Sequence, residues 1–159
     1  MQLWLVRHAV AAERDEFQGP DSERPLTNKG RRRFRDFCQW LADEAEMPQA
    51  IIASPLVRAA ETAALLAKAA GLKKSEVVSS ELLAPGADLA SLLRFVGDNP
   101  AEIVALVGHE PDMGHYLSEL VNGGEFAFGK GFIAAVEFAS SPAAGAGHLR
   151  WFVGPKLGH

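Results

Sequence analysis

The sequence has few cysteines and no long apolar run. Cys38 is the single cysteine among the 159 residues, so no disulfide can form within the chain. A free thiol fits a reducing compartment. No apolar run approaches the roughly 20 residues that cross a bilayer, and the first residues lack the basic, apolar and small-residue order of a secretory signal. We therefore expect a cytoplasmic protein that does not bind membranes.

An excess of positive charge is also absent. The 16 Lys and Arg residues against 20 Asp and Glu give a formal net charge of −4. No basic stripe with interleaved aromatic residues is present, so the sequence gives no support for nucleic-acid binding. Five cations do cluster on one predicted helix, where they favour a solvated face or, as the alternative, a docking patch for an acidic protein partner: Lys29, Arg31, Arg32, Arg33 and Arg35.

Short apolar runs alternate with helical patterns along the chain. With 48% hydrophobic residues and neither a repeat nor a linker, the sequence predicts one domain over residues 1–159. The alternation predicts a three-layer α/β/α sandwich whose central sheet is mainly parallel. The first predicted strand lies within residues 3–10, and further strands are predicted at 50–53, 77–80, 103–107, 132–138 and 148–153. The last two form an antiparallel hairpin at one sheet edge. Helices are predicted at 28–46, 55–70 (after Ser54 as N-cap), 88–96 and 111–121, and residues 11–25 form a loop that is long enough to act as a lid.

Charged and polar residues follow three of the predicted buried strands. Arg7 and His8 end the first strand, Ser54 ends the second and leads to Arg58, and His109 ends the fourth. The carboxyl ends of parallel strands lie at one edge of a sheet, where ligands bind in open α/β folds. The N-termini of the helices that follow also favour an anion at that edge. We therefore expect these side chains to converge.

Two arginines and two histidines together indicate a phosphate pocket. Guanidinium groups match phosphoryl oxygens with paired hydrogen bonds. The charges of Arg7 and Arg58 would lower the pKa of His8 and keep its imidazole neutral and nucleophilic. His109 would donate to the transferring phosphoryl group, and water would then hydrolyse the phosphohistidine intermediate. No H-E-x-x-H motif is present, and arginines would repel a divalent cation, so we expect neither a metal nor a cofactor.

Four motifs in order along the chain resemble the histidine phosphatase superfamily. The resemblance is closest to its short phosphohistidine phosphatases of the SixA type, and it covers residues 1 to about 121. It implies a phosphoglycerate mutase-like fold. The motifs are Arg7-His8, Arg24-Pro25-Leu26-Thr27, Ser54-Pro55-Leu56-Val57-Arg58-Ala59 and Gly108-His109-Glu110-Pro111.

The resemblance also implies a role for each matching residue. His8 would be the nucleophile that carries the phosphoryl group, with Arg7 and Arg58 binding that group and His109 stabilising it. Arg24 would lie at the rim of the pocket.

Other site residues are less sharply defined by the motifs. Ala9 stands where the superfamily usually has glycine, and we expect it to line the substrate site together with Glu110. Glu81, after the third strand, is the first candidate for the general acid. Glu110 is the second, and the enzyme could also work without an acid, because phosphohistidine has a labile bond.

The substrate is open at this stage. The SixA resemblance favours a phosphohistidine-bearing protein, such as a phosphotransfer domain in signal transduction. The first alternative is a small-molecule phosphomonoesterase or mutase-like enzyme of the same superfamily. The second is a non-catalytic module that binds a phosphorylated ligand.

Overall fold

Strands and helices alternate along residues 1–155, which are the residues that the computed structural model describes. The last four residues of the predicted domain, 156–159, lie outside the described residues. The elements are β1 (Gln2–Arg7), α1 (Asn28–Glu44), β2 (Ala50–Ala53), α2 (Val57–Ala69), β3 (Val78–Ser79), α3 (Leu89–Gly97), β4 (Ile103–Gly108), α4 (Asp112–Leu120), β5 (Ile133–Glu137) and β6 (His148–Val153).

The six strands form one mixed sheet in the order β3-β2-β4-β1-β5-β6. The first four strands of this order are parallel to one another, with β1 beside β4 and β4 beside β2. Strand β5 runs antiparallel to β1, and β6 runs antiparallel to β5 at the sheet edge. The predicted parallel centre with an antiparallel edge hairpin is therefore confirmed.

Alternate residues of β1 enter two separate hydrophobic cores. Trp4 and Val6 pack in the core that α1 and α2 cover. Leu3 and Leu5 pack in the core that α3 and α4 cover. All four side chains are fully buried, as expected for a central strand with helices on both faces. The α/β fold therefore has the three predicted layers.

The element boundaries differ from the prediction mainly at the start of α2. Ser54 was predicted to be its N-cap, but this is wrong: Leu56 is the N-cap, and α2 begins at Val57. The hydroxyl of Ser54 accepts from the amide of Leu56 over 3.2 Å and also contacts a side chain of the site described below. Strand β3 is two residues shorter than predicted, because β2 offers it only two partners, at Ile52 and Ala53. Within residues 1–155, no helix is both long and apolar enough to span a bilayer.

Candidate active site

The carboxyl ends of β1, β4 and β2 lie side by side. Arg7 of β1 is paired with Gly108 of β4, and the amide of His8 donates to the carbonyl of Gly108 over 3.0 Å. The amide of Ser54 donates to Val107 over 2.9 Å. This register brings the residues that follow the three strands to one edge of the sheet, as predicted.

The His8 ring is held in one tautomer. Its Nδ1 lies 2.8 Å from the carbonyl oxygen of Ala9, and a carbonyl oxygen can only accept, so Nδ1 carries the hydrogen. The neutral ring therefore has its lone pair on Nε2. Burial is the main reason that the pKa of His8 is lowered to about 3. The hydrogen bond to Ala9 raises this pKa, and the charges of His109, Arg58 and Arg7 lower it further. The predicted direction is confirmed, but burial rather than the arginines is its largest cause.

Ala9 is held in turn by Thr62 of α2. The Ala9 amide donates to the Thr62 hydroxyl over 3.0 Å, and that hydroxyl donates to the Arg58 carbonyl over 2.7 Å. Thr62 is fully buried. The helix that carries Arg58 thus also fixes the backbone next to His8. Thr62 is not among the predicted site residues, although a polar residue on the apolar face of a helix is a signal for such a role.

His109 faces His8 and is oriented by Ser54. The two imidazole centroids are 5.3 Å apart, and the planes are inclined by 56°. Nε2 of His109 lies 2.8 Å from Oγ of Ser54. Burial and then the charge of Arg58 lower the pKa of His109 to about 4, although Asp21 raises it. The site therefore holds two neutral imidazoles at neutral pH.

Arg7 and Arg58 lie at this site with part of each guanidinium group engaged by the backbone. Nη1 of Arg7 donates to the Phe128 carbonyl over 2.8 Å, and Nη1 of Arg58 donates to the Asp21 carbonyl over 2.8 Å. Burial lowers the pKa of both groups, but arginine stays charged in proteins.

Three buried side-chain nitrogens within residues 1–155 have no hydrogen-bond partner. They are Nε of Arg7, Nε of Arg58 and Nδ1 of His109. Leaving a buried donor unpaired costs about 1–3 kcal/mol. All three belong to residues that were predicted to bind a phosphoryl group, whose oxygens are acceptors. The orphaned nitrogens thus fit a site for a tetrahedral anion.

Residues 11–25 are tied to the site through Asp21. Its carboxylate receives Nη2 of Arg58 at 3.1 Å and Nε of Arg24 at 3.1 Å. Burial alone would raise the pKa of Asp21, but the bond from Arg24 and the charge of Arg58 lower it. Arg24 also donates to the Ala12 carbonyl over 2.7 Å. Arg24 therefore stabilises the loop of residues 11–25 beside the site. Asp21 is a site residue that was not predicted from the sequence.

The two predicted general-acid candidates have different surroundings. Glu81 is exposed and begins a 3-10 turn directly after β3, at the carboxyl edge of the sheet. Glu110 accepts from the Gly114 amide over 2.7 Å, so one carboxylate oxygen stabilises the first turn of α4. Its charge also acts on Arg7. The carboxylate of Glu110 is therefore partly used in stabilising α4, whereas the side chain of Glu81 is exposed to solvent.

In the described part of the chain, no three His, Cys, Asp or Glu side chains are grouped in a way that could hold a metal ion. The charges of Arg7 and Arg58 act on both histidines of the site. Metal-independent chemistry stays a prediction.

Known proteins share both the sequence and the fold. The model of the histidine phosphatase superfamily (branch 1) matches residues 3–84. An uncharacterised protein of Picosynechococcus sp. is 38% identical over 127 residues, which are 77% of this chain and 74% of that protein. The phosphohistidine phosphatase SixA of Escherichia coli is 29% identical over 126 residues, 77% of this chain and 76% of SixA. A solved structure of the protein histidine phosphatase SixA with tungstate has a TM-score of 0.84 and 26% identity, and covers 99% of both chains.

Proposed function

The chain belongs to the histidine phosphatase superfamily, and we propose that it is a cytoplasmic protein phosphohistidine phosphatase with His8 as its nucleophile. The observation that carries this proposal is the hydrogen bond between Nδ1 of His8 and the Ala9 carbonyl. It leaves Nε2 as the one ring nitrogen with a free lone pair. The lowered pKa of His8, about 3, keeps that lone pair available at neutral pH.

The reaction runs in two displacements. In the first, Nε2 of His8 attacks phosphorus, the bond from phosphorus to the substrate nitrogen breaks, and the substrate imidazole leaves with the electron pair and takes up a proton. In the second, water attacks phosphorus, the bond to Nε2 breaks, and inorganic phosphate is released with His8 restored. Arg7 and Arg58 hold the phosphoryl oxygens in both steps, and Nδ1 of His109 donates to one of them.

Two features favour phosphohistidine on a protein as the substrate. An imidazole leaving group needs less help from a general acid than an alkoxide does, and the first acid candidate, Glu81, is an exposed residue. The loop of residues 11–25 is the one predicted lid and is largely exposed, which favours a side chain on another protein over an enclosed small molecule. The similarity to the phosphohistidine phosphatase SixA supports the same substrate class.

Release of inorganic phosphate tests the proposal. The substrates are a phosphotransfer domain phosphorylated on histidine and a panel of small phosphate monoesters, with chelator present throughout. Wild type should release phosphate from the phosphotransfer domain, and His8→Ala should not. Rapid quenching of wild type with labelled substrate should trap an acid-labile, base-stable phosphoryl group on the protein, as expected for phosphohistidine.

The alternatives give different results in the same assay. Turnover of monoesters alone would keep the mechanism and replace the substrate by a small phosphorylated molecule. Binding of tungstate without any turnover would indicate a non-catalytic phospho-ligand module. Loss of activity with chelator, restored by a divalent cation, would overturn metal independence.

A further inference from the structure

A cavity of about 340 Å³ lies between the start of α1 and the segment that precedes β5. Ala9, Val10, Phe34 and Phe132 supply much of its apolar lining, and Arg33 and Lys130 also line it. Cavities with an apolar lining and few polar groups are typical ligand sites. The proposed reaction at His8 uses none of these side chains.

Backbone rather than side chains forms part of the cavity wall, because α1 packs directly onto the chain after β1. A Cβ atom at Gly30 would lie 2.3 Å from the carbonyl oxygen of Val10, so only glycine permits this approach. Gly30 therefore shapes this part of the cavity wall.

One residue of the cavity wall is adjacent to the nucleophile in the chain. Ala9 follows His8 directly, and the amide of Gly131 donates to the His8 carbonyl over 3.0 Å. Adjacent Cα atoms are about 3.8 Å apart. The cavity wall therefore begins one residue from the nucleophile.

Neither of the two cations of the cavity has an ion-pair partner within the part of the chain that the structure describes. Arg33 is half-buried, and Lys130 is exposed. Arg31 on the same helix as Arg33 does form an ion pair, with Glu61 at 2.7 Å. The chain as a whole carries a net charge of −4. Among residues 1–155, unpaired positive charge beside the cavity is thus a local feature that complements an acidic ligand.

We propose that this cavity binds the partner protein beside its phosphohistidine, with an apolar side chain of the partner in the cavity and an acidic residue of the partner on Arg33 and Lys130. The proposal rests on the proposed function, because it describes the substrate of that reaction. It also gives a role to part of the basic cluster on α1. Charge pairs at such a rim increase the rate and specificity of association more than the affinity itself.

Peptides with exchanged charges test the proposal. The first peptide, the Leu-Glu peptide, carries phosphohistidine with one Leu and one Glu on each side. The Leu-Lys peptide has Lys in place of each Glu, and the Ala peptide has Ala in place of each Leu. Wild type is compared with the double variant Arg33→Glu and Lys130→Glu. The matched control is Arg32→Glu, a charge reversal at an exposed position of α1 outside the cavity. Free phosphohistidine serves as the substrate without flanking residues.

We expect the double variant to raise KM for the Leu-Glu peptide at least tenfold with little change in kcat. It should lower KM for the Leu-Lys peptide, and the rate with free phosphohistidine should change less than threefold. The Ala peptide should have a raised KM on wild type. Equal effects of the double variant and Arg32→Glu, or no preference between Glu and Lys peptides, would overturn the proposal.

Binding measurements separate this inference from the proposed function. The same peptides without phosphate are titrated by fluorescence anisotropy against wild type and the double variant. One outcome is that phosphohistidine is not hydrolysed, but the charge preference in binding is present and reverses in the variant. That result would support the proposed binding cavity and contradict the proposed substrate. If hydrolysis occurs but no peptide shows a charge preference in binding or in KM, the surface falls and the phosphatase stands.

Discussion

Nε2 of His109 lies 2.8 Å from Oγ of Ser54, a residue 55 positions earlier at the end of a neighbouring strand. This bond fixes the ring whose Nδ1 is buried and has no hydrogen-bond partner within residues 1–155. We expect Ser54→Ala to lower kcat about tenfold, the equivalent of one ordinary hydrogen bond. The measurement is steady-state turnover of p-nitrophenyl phosphate.

Ser80→Ala is the matched control for the Ser54 variant. Both hydroxyls accept from the amide two residues later at 3.2 Å, at Leu56 and Leu82 respectively. Only Ser54 contacts a histidine among the hydrogen bonds of the described chain. Equal activity of the two variants would show that Ser54 does not orient His109.

The two buried histidines predict a pH dependence of stability. The pKa is about 3 for His8 and about 4 for His109 in the folded protein, against about 6.5 unfolded. The unfolded chain therefore binds more protons between pH 6.5 and 4, so stability falls as the pH drops through this window. We expect a loss of about 2 kcal/mol per histidine from pH 8 to pH 5.

Urea unfolding at a series of pH values measures this loss. His8→Ala and His109→Ala should each remove about half of the loss in unfolding free energy between pH 8 and pH 5. This expectation does not depend on how stable each variant is at pH 8. His148→Ala, at an exposed position, should leave the slope unchanged. A wild-type slope shared by all three variants would mean that neither site histidine is held neutral by the fold.

Asp21 forms an ion pair with Arg58, one of the two arginines that are proposed to bind the phosphoryl group. Its carboxylate lies 3.1 Å from Nη2 of Arg58. We expect Asp21→Asn to lower the inhibition constant of inorganic phosphate by up to about fivefold, since a partly exposed ion pair is worth at most about 1 kcal/mol. Asp36→Asn, which removes only the exposed pair with Arg35, is the control. A raised inhibition constant would show instead that Asp21 holds Arg58 in its binding position.

Glu81 should matter only for substrates with poor leaving groups. General-acid catalysis typically contributes about 10² to 10⁴ in rate. We expect Glu81→Gln to slow hydrolysis of an alkyl phosphate at least tenfold and to leave that of a phosphohistidine peptide unchanged. Glu102→Gln, at the opposite edge of the sheet before β4, is the control. Unchanged rates on both substrates would exclude Glu81 as the acid and direct the same test to Glu110.

Residues at strand ends could be predicted from the sequence, whereas those that orient them could not. Arg7, His8 and His109 follow apolar runs directly, and parallel strands bring such positions to one edge whatever the details of packing. The hydroxyl of Ser54 has two possible functions, and a Ser-Pro pair is so typical of a helix start that the cap was the natural interpretation. Asp21 lies in a loop whose path depends on tertiary contacts, so no periodicity indicated it.

Thr62 links the nucleophile to the helix of Arg58, and its removal should affect both stability and rate. In Thr62→Val the shape is kept, but the buried Ala9 amide loses its acceptor, which costs about 1–3 kcal/mol. The Ala9 carbonyl that holds His8 should then shift and lower kcat. Thr62→Ser keeps the hydroxyl and should retain kcat, with a smaller loss in urea unfolding. If Thr62→Val loses stability but keeps the wild-type kcat, Thr62 supports the fold alone, and the tautomer of His8 does not depend on it.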